Sequence, residues 1–452
     1  MSTPRTKPSA AVIVGLGRTG LSCARYLREL GWRIAVTDTR LEPPQRGALR
    51  ELDAQIPLRL GALDTRLLDD ALCVVASPGV SLEQPFFVEA RRRGLEIVGD
   101  IELFARAVDA PVAGITGTNG KSTVTTLLGR MAARAGVQVR VGGNLGEPAL
   151  DLLAEARRAG RAVGLYVLEL SSFQLEAAHS LDLKAAAVLN VSPDHLDRYA
   201  SVEAYAAAKA RIFARCDTAV INLDDPLVVA MPQPGQRTLS FSMRAAIGAD
   251  YAVTIRDGGS WLTRRGEALL PVSTMRIRGL HNAANALAAL ALGEALGLSL
   301  RAMLAELEEF TGLPHRTQWV ADVAGVTYVD DSKGTNVGAT IAAVAGMEGP
   351  LIIIAGGDGK NQDFAPLAAA FRGKVRHTVL IGRDARQLAA ALRGVCSTQY
   401  CDSLEEAVRA AASAARTGDT VLLSPACASL DMFRDYTHRG AVFARAVKEL
   451  AA

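Results

Sequence analysis

Aromatic side chains make up only 5% of this 452-residue chain, and charge of one sign is just as scarce: 50 Lys and Arg against 47 Asp and Glu leave a formal net charge of +3. No basic run is interleaved with aromatics, which argues against a nucleic-acid partner, and the triplet "RRR" at 91–93 reads as the solvated face of a helix. No apolar run reaches bilayer-spanning length, and "MSTPRTKPSAAVIVG" has no segment of signal length before its first strand, so a cytoplasmic protein with no membrane partner is expected. Six cysteines are present, none in a CxxC pair or at zinc-ligand spacing, which predicts reduced, mostly buried thiols. Low-complexity linkers and short-period repeats are also missing.

What is there is alternation. Strand-like runs follow helix-like ones nearly throughout, which predicts α/β domains with parallel sheets, and a chain of this length exceeds a single core. The first unit, "AAVIVGLGRTGLSCARYLREL", is a short apolar strand, then Gly15-x-Gly17-x-x-Gly20, then a helix. A second strand, "WRIAVTD", ends in Asp38 at about the ~20-residue distance expected of a ribose-binding acid. Taken at face value this is a dinucleotide turn; any nucleotide phosphate can use the same geometry, so the ligand stays open. Later texture changes predict three domains, 1–108, 109–312 and 313–452, with an antiparallel patch in 239–279 and a long helix at "HNAANALAALALGEALG".

The middle domain opens on "GITGTNGKST", residues 114–123. In the usual phosphate loop, G-x-x-x-x-G-K-[ST], the first glycine would fall at 115, where this chain has Ile115; its glycines are Gly114 and Gly117. A Gly-rich turn between a buried strand and a helix nevertheless gathers free N–H groups and the positive end of the helix dipole at one point, which makes an anion site at either spacing. Glu169 ends the strand "GLYVLE" and can share a Mg²⁺ with Ser122. Asp194 and His195 follow the next strand and can reach the same cleft, although a hydrogen-bonded loop histidine is the plainer reading of His195. Lys209, in "YAAAKARIF", reads as a solvated helix lysine. In the third domain Arg316, Lys333 and Lys360 flank strand ends, where cations suit phosphates or carboxylates. A triphosphate, Mg²⁺ and carboxylate sockets together point to ATP-driven activation of an acid rather than to hydride transfer.

In order and across nearly the whole chain, "GITGTNGKST", "LELSSFQLE", "NVSPDHLDRY", "HNAANALAA", "GLPHR", "DDSKGTN", "AGGDGK" and "LSPACASLD" resemble the Mur ligases of peptidoglycan synthesis. The resemblance implies three α/β domains: a Rossmann-like UDP-binding domain, a central P-loop-type ATPase domain and a Rossmann-like C-terminal domain. It implies an ATP-dependent ligase that joins D-glutamate to UDP-N-acetylmuramoyl-L-alanine through an acyl phosphate, with ATP, two Mg²⁺ and a carbamylated Lys209, in a monomer. By the same resemblance Gly117, Thr118, Asn119, Gly120, Lys121, Ser122 and Thr123 hold ATP phosphates. Asn282 and Asn285 meet the adenine, Asp331 the ribose and Arg316 the terminal phosphate. Ser122 and Glu169 hold one Mg²⁺, His195 and the Lys209 carbamate a second. Arg18, Thr19, Asp38, Thr39, Arg40, Asn144 and His195 fall where the family binds the UDP substrate. Lys333, Thr335, Lys360, Ser429, Leu430 and Tyr436 fall around the D-glutamate site.

Two small departures from the family pattern stand out: Gly334 where Ala is common, expected to loosen the backbone, and Tyr436 where Phe is frequent. Closure of the third domain over the cleft is expected to bring Arg316 and Lys360 into place. The competing readings are a Mur ligase for another amino acid, a folylpolyglutamate synthetase, which would carry a GKG loop and lack the first domain, an NAD-dependent oxidoreductase, and a scaffold without activity.

Overall fold

The computed structural model describes residues 10–244, 248–277, 279–347 and 349–450; parts of the leader expectation and of the 239–279 patch fall outside them. Its strands form three sheets in chain order. The first runs Leu58–Leu60, Arg33–Asp38, Ala10–Val14, Cys73–Ala76, Glu96–Val98, all parallel. Order reverses beside Ala10–Val14, the switch point at which open parallel sheets bind ligands. Gly15 lies there with φ 93°, and a Cβ on it would stand 2.8 Å from Ser77 Cβ, while a Cβ on Gly20 would stand 2.0 Å from the Gly15 carbonyl oxygen. Only glycine permits this close strand-to-helix turn.

The second sheet has nine strands. Its parallel part centres on Val112–Thr116, flanked by Leu165–Glu169 and Ala185–Val188. All three are buried along their length, as both-sided parallel strands must be, and their residues are accordingly nearly all apolar. The loops after these three neighbours therefore open side by side. The antiparallel patch is present as Tyr251–Arg256, Gly259–Arg264 and Glu267–Pro271 at one edge. The helix Leu280–Ala295 packs against helix Lys121–Arg134 and the sheet, and its near-continuous Ala and Leu content follows from burial on most sides.

The third sheet is ordered Gln318–Val323, Val326–Asp330, Thr420–Leu423, Leu351–Gly356, Val375–Ile381, Ser397–Tyr400, with only the first pair antiparallel. Three adjacent strands thus direct Asp331–Lys333, Ser424–Ser429 and Gly357–Lys360 to one edge. No helix among the described residues is long and apolar enough to cross a membrane. Of the six thiols, Cys23, Cys73 and Cys427 are buried and Cys216, Cys396 and Cys401 half-buried, none in a disulfide.

The first and second sheets are joined through buried polar groups. Gln174 Nε2 donates to Asp100 Oδ2 at 2.9 Å, Ser22 Oγ to Asp151 Oδ1 at 2.8 Å, and Glu102 accepts from the backbone N–H groups of His179 and Ser180.

Candidate active site

The loop between Val112–Thr116 and Lys121–Arg134 owes its shape to two glycines. Gly117 has φ 142° and Gly120 φ 85°, and a Cβ on Gly120 would sit 2.3 Å from Asn285 Oδ1. The loop backbone is held from the neighbouring strand end: Asn119 N–H donates to Asn190 Oδ1 at 2.8 Å, and Thr118 N–H to the Asn190 carbonyl at 2.9 Å. Lys121 curls back, its Nζ donating to the carbonyls of Gly117 and Thr118 at 2.9 and 2.8 Å. Burial lowers its pKa, and Glu169 opposes that shift.

Beside the loop, Ser122 Oγ donates to Glu169 Oε2 at 2.5 Å, while Asn144 Nδ2 donates to Glu169 Oε1 at 2.6 Å. Burial by itself would raise the Glu169 pKa, but Lys121 and these hydrogen bonds hold it below the ordinary carboxylate value. Arg316, from the segment entering the third sheet, reaches across and donates from Nη2 to Ser122 Oγ at 2.6 Å. Its neighbours His315 and Thr317 both have left-handed backbones, at φ 61° and 51°. A β-branched residue seldom adopts that conformation, so the turn that aims Arg316 is strained.

Lys209 is not solvated: its side chain is 1% exposed, with Nζ donating to the Gly117 carbonyl at 2.9 Å and lying 4.2 Å from the Tyr205 ring centroid. The helix Val202–Ala210 turns this residue inward because Tyr205, Ala206, Ala208 and Lys209 are all buried, a pattern hidden by the alanine-rich sequence. Burial, then repulsion from Lys121, lowers its pKa well below that of a free lysine. His195 also has a left-handed backbone, φ 54°, and its ring meets Phe173 edge-on at 5.0 Å. Burial lowers its pKa, which favours the neutral imidazole. Asp194 beside it accepts from Lys360 Nζ at 2.6 Å and from Asn336 Nδ2 at 3.2 Å, so the third sheet touches the second here as well.

A cavity of about 660 Å³ lies between the second and third sheets, within the ordinary range for ligand sites. Asn119, Gly120, Thr123, Asn282, Asn285, Arg316, Asp331 and Lys333 line it. Asn285 Nδ2 donates to Asn282 Oδ1 at 3.0 Å. Burial pushes the Asp331 carboxyl up to about 7 although Ser424 Oγ donates to it at 2.8 Å. Burial, then Arg316 and Lys121, brings Lys333 down to about 8, and its Nζ lies 3.9 Å from the Tyr436 ring centroid. Thr335 N–H donates to the Lys333 carbonyl at 2.8 Å, Ser429 is buried, and Leu430 is 73% exposed. Gly334 is a close approach rather than a loose joint: an added Cβ would stand 2.6 Å from Asp331 Oδ2.

The glycine turn of the first sheet lies apart from this cavity. Asp38 is buried there with all its acceptor sites engaged, taking Leu16 N–H at 2.7 Å and the Arg40 backbone N–H, Nε and Nη2 at 2.8, 2.9 and 2.7 Å. Thr39 and Arg40 are exposed, Thr19 half-buried, and exposed Arg18 donates to Glu147 Oε1 at 3.2 Å, on the loop that carries Asn144.

Two polar residues of the site escaped sequence reasoning. Asn190 follows the strand Ala185–Val188, and Asn336 caps the helix Val337–Gly346 through the Ala339 N–H at 2.8 Å while approaching Asn119 Oδ1 at 3.3 Å. The second carried a readable signal, an Asn before an apolar helix; the first did not.

Three family descriptions match in order: "Mur ligase MurD-like, N-terminal domain" over residues 9–99, "Mur ligase middle domain" over 115–293 and "Mur ligase, glutamate ligase domain" over 315–427. The chain is 51% identical to the UDP-N-acetylmuramoylalanine--D-glutamate ligase of Nitrosococcus oceani, covering 98% of this chain and 97% of that one. It is 50% identical to the protein of that name from Methylococcus capsulatus, over 98% and 95%. Among solved structures it resembles the UDP-N-acetylmuramate-alanine ligase of Thermotoga maritima with a TM-score of 0.62 and 19% identity, over 97% and 99% of the two chains, a likeness of fold. The chain belongs to the Mur ligase family.

Proposed function

We infer that this protein is an ATP-dependent ligase that adds D-glutamate to UDP-N-acetylmuramoyl-L-alanine in peptidoglycan precursor synthesis. The relatives at about half identity carry that activity in their name. The observation that carries the chemistry is the meeting of Lys121, Ser122 and Glu169 with Arg316 from the third sheet, 2.6 Å from Ser122 Oγ. In this reading the phosphate loop and Lys121 bind the ATP phosphates, and Arg316 steadies the terminal phosphoryl group as it passes to the substrate carboxylate. The resulting acyl phosphate is attacked by the amine of D-glutamate, and a tetrahedral intermediate collapses to the amide, with ADP and phosphate released.

Ser122 and Glu169 are oxygen donors suited to Mg²⁺, which takes one or two carboxylates and otherwise phosphates and water. Neutral His195 and a carbamate on Lys209 would hold a second ion, and the depressed pKa of Lys209 favours the free amine that CO₂ requires. When bound, Mg²⁺ supplies neutralisation of developing phosphoryl charge.

Asn282 and Asn285 then contact the adenine and Asp331 the ribose. Lys333, Thr335, Lys360, Ser429, Leu430 and Tyr436 surround D-glutamate at the edge where three strands of the third sheet end. Arg18, Thr19, Asp38, Thr39, Arg40 and Asn144 serve the UDP substrate, with exposed Arg40 held by Asp38 at the glycine turn. Domains of 1–108, 109–312 and 313–452, a monomer, and work in the cytoplasm on small molecules, away from nucleic acid and membrane, complete the reading.

The test is phosphate release from ATP with Mg²⁺ and UDP-N-acetylmuramoyl-L-alanine, comparing D-glutamate with L-glutamate, L-alanine, L-lysine and meso-diaminopimelate. Release only with D-glutamate, abolished by Lys121→Ala, supports it. Release with another amino acid moves the protein to a different ligation, and saturable NAD binding without ATP turnover overturns it.

A further inference from the structure

Trp319 is out of character for its surroundings. It is 61% exposed, the most solvent-accessible of the chain's three tryptophans, on the outer strand Gln318–Val323, while Trp32 and Trp261 are half-buried. A single exposed apolar side chain is ordinary on a protein surface; what sets Trp319 apart is where its indole lies. Trp319 lines the cavity between the second and third sheets, together with Phe241, Ile277, Leu313 and Asn282. Pairing with Val326–Asp330 is irregular at this point: Trp319 opposes Val329 but Ala321 opposes Tyr328, so Val320 is an extra residue. Such bulges re-aim a side chain and gather beside ligand sites.

Spacing gives this side chain a partner. Trp319 lies three residues beyond Arg316, so the two Cα atoms are separated by at most roughly 10 Å of chain. Arg316 meets Ser122 at the phosphate loop. Arg316 and Trp319 line one cavity, so a ligand with its phosphates at Lys121 and Arg316 has the Trp319 indole within reach of its other end. For a nucleoside triphosphate that end is a flat purine.

We propose that Trp319 is a base-stacking wall of the nucleotide site, contributed by the third sheet and closing over the adenine of ATP. This rests on the ATP-dependent reading above. Stacking on an indole face is tolerant of base identity, so this wall adds affinity, while selection for adenine falls to the polar groups of Asn282 and Asn285. Because Trp319 and Arg316 enter the site on one short segment, base and terminal phosphate are gripped by the same element.

The experiment is a titration of the intact protein with ATP and Mg²⁺ followed by tryptophan fluorescence, with inorganic tripolyphosphate as the ligand that has phosphates but no base. ATP is expected to quench the emission, tripolyphosphate to leave it unchanged, and Trp319→Phe to remove the quench while retaining most of the affinity. Trp319→Ala is expected to raise KM for ATP on the order of tenfold, with the effect falling on KM rather than on kcat. Equal quenching by tripolyphosphate, or an unaltered KM in a Trp319→Ala protein of wild-type melting temperature, overturns the assignment and leaves the ligase reading intact. Failure of the wild-type protein to bind ATP in calorimetry would instead strike at the ligase reading itself.

Discussion

Arg316 Nη2 lies 2.6 Å from Ser122 Oγ, although 194 residues separate them in the chain. The hydroxyl is at the start of the helix after the phosphate loop and the guanidinium belongs to the segment entering the third sheet, so the site is complete only when the two sheets face each other. Arg316→Ala is expected to lower kcat about 10²- to 10³-fold, the loss typical of a donor that stabilises charge in the transition state. Arg316→Lys should recover little, since a point charge does not reproduce the planar fork. Steady-state ADP release measures both, and near wild-type kcat in either variant would remove Arg316 from the phosphoryl-transfer machinery.

Gly120 offers a backbone test. At φ 85° and with Asn285 Oδ1 2.3 Å from where a Cβ would be, Gly120→Ala meets both strain and a clash. It should weaken ATP binding severely and cost about 1–3 kcal/mol of stability. Gly136, also at positive φ but with open space around it, isolates the strain alone: Gly136→Ala should lower the melting temperature without touching ATP affinity. Calorimetric binding and thermal melts on the pair separate the two effects.

The carbamate that membership of the Mur ligase family implies for Lys209 can be tested directly, and its buried amine with a lowered pKa is compatible with it. Protein equilibrated with ¹³C-bicarbonate at mildly alkaline pH should show a carbamate carbon resonance that is missing in Lys209→Met. Loss of the resonance on acidification is expected as the amine recaptures a proton. A spectrum identical in the two proteins would leave Lys209 as a hydrogen-bond donor to the Gly117 carbonyl and nothing more.

Asp100 gives a pH dependence of stability. Burial raises its pKa from 3.8 to about 6 in the folded protein, so the fold favours the protonated acid. Between about pH 4 and 6 the folded state binds more protons than the unfolded one; this contribution is therefore present at low pH and is lost as pH rises through about 6. Asp100→Asn keeps an acceptor for Gln174 Nε2 and removes the charge. It should raise stability at pH 7–8 by on the order of 1–3 kcal/mol and change little near pH 4. Melting curves across pH 4–8 measure this, and an Asn variant that is less stable at pH 8 would contradict it.

The sequence by itself determined much of this protein. Alternating strand and helix runs predicted parallel sheets because both-sided burial demands apolar strands. "GITGTNGKST" was legible as a glycine turn between a buried strand and a helix despite its shifted glycine, because the apolar strand and the helix periodicity on either side of it, rather than the glycine count, define that turn. Glu169, Lys333 and Lys360 were legible as polar residues at strand ends. Only the tertiary structure decided which of them meet. Strand order brings the loops after Val112–Thr116, Leu165–Glu169 and Ala185–Val188 together, and no local pattern encodes that order. Lys209 looked solvated because its helix is mostly alanine, which gives almost no periodic contrast; burial was set by the sheet beneath it. The partner of Ser122, the covering of Asp194 by Lys360 and the outward turn of Trp319 depend on contacts between residues more than a hundred positions apart, or on a bulge in strand pairing, and such long-range geometry is fixed when the sheets pack.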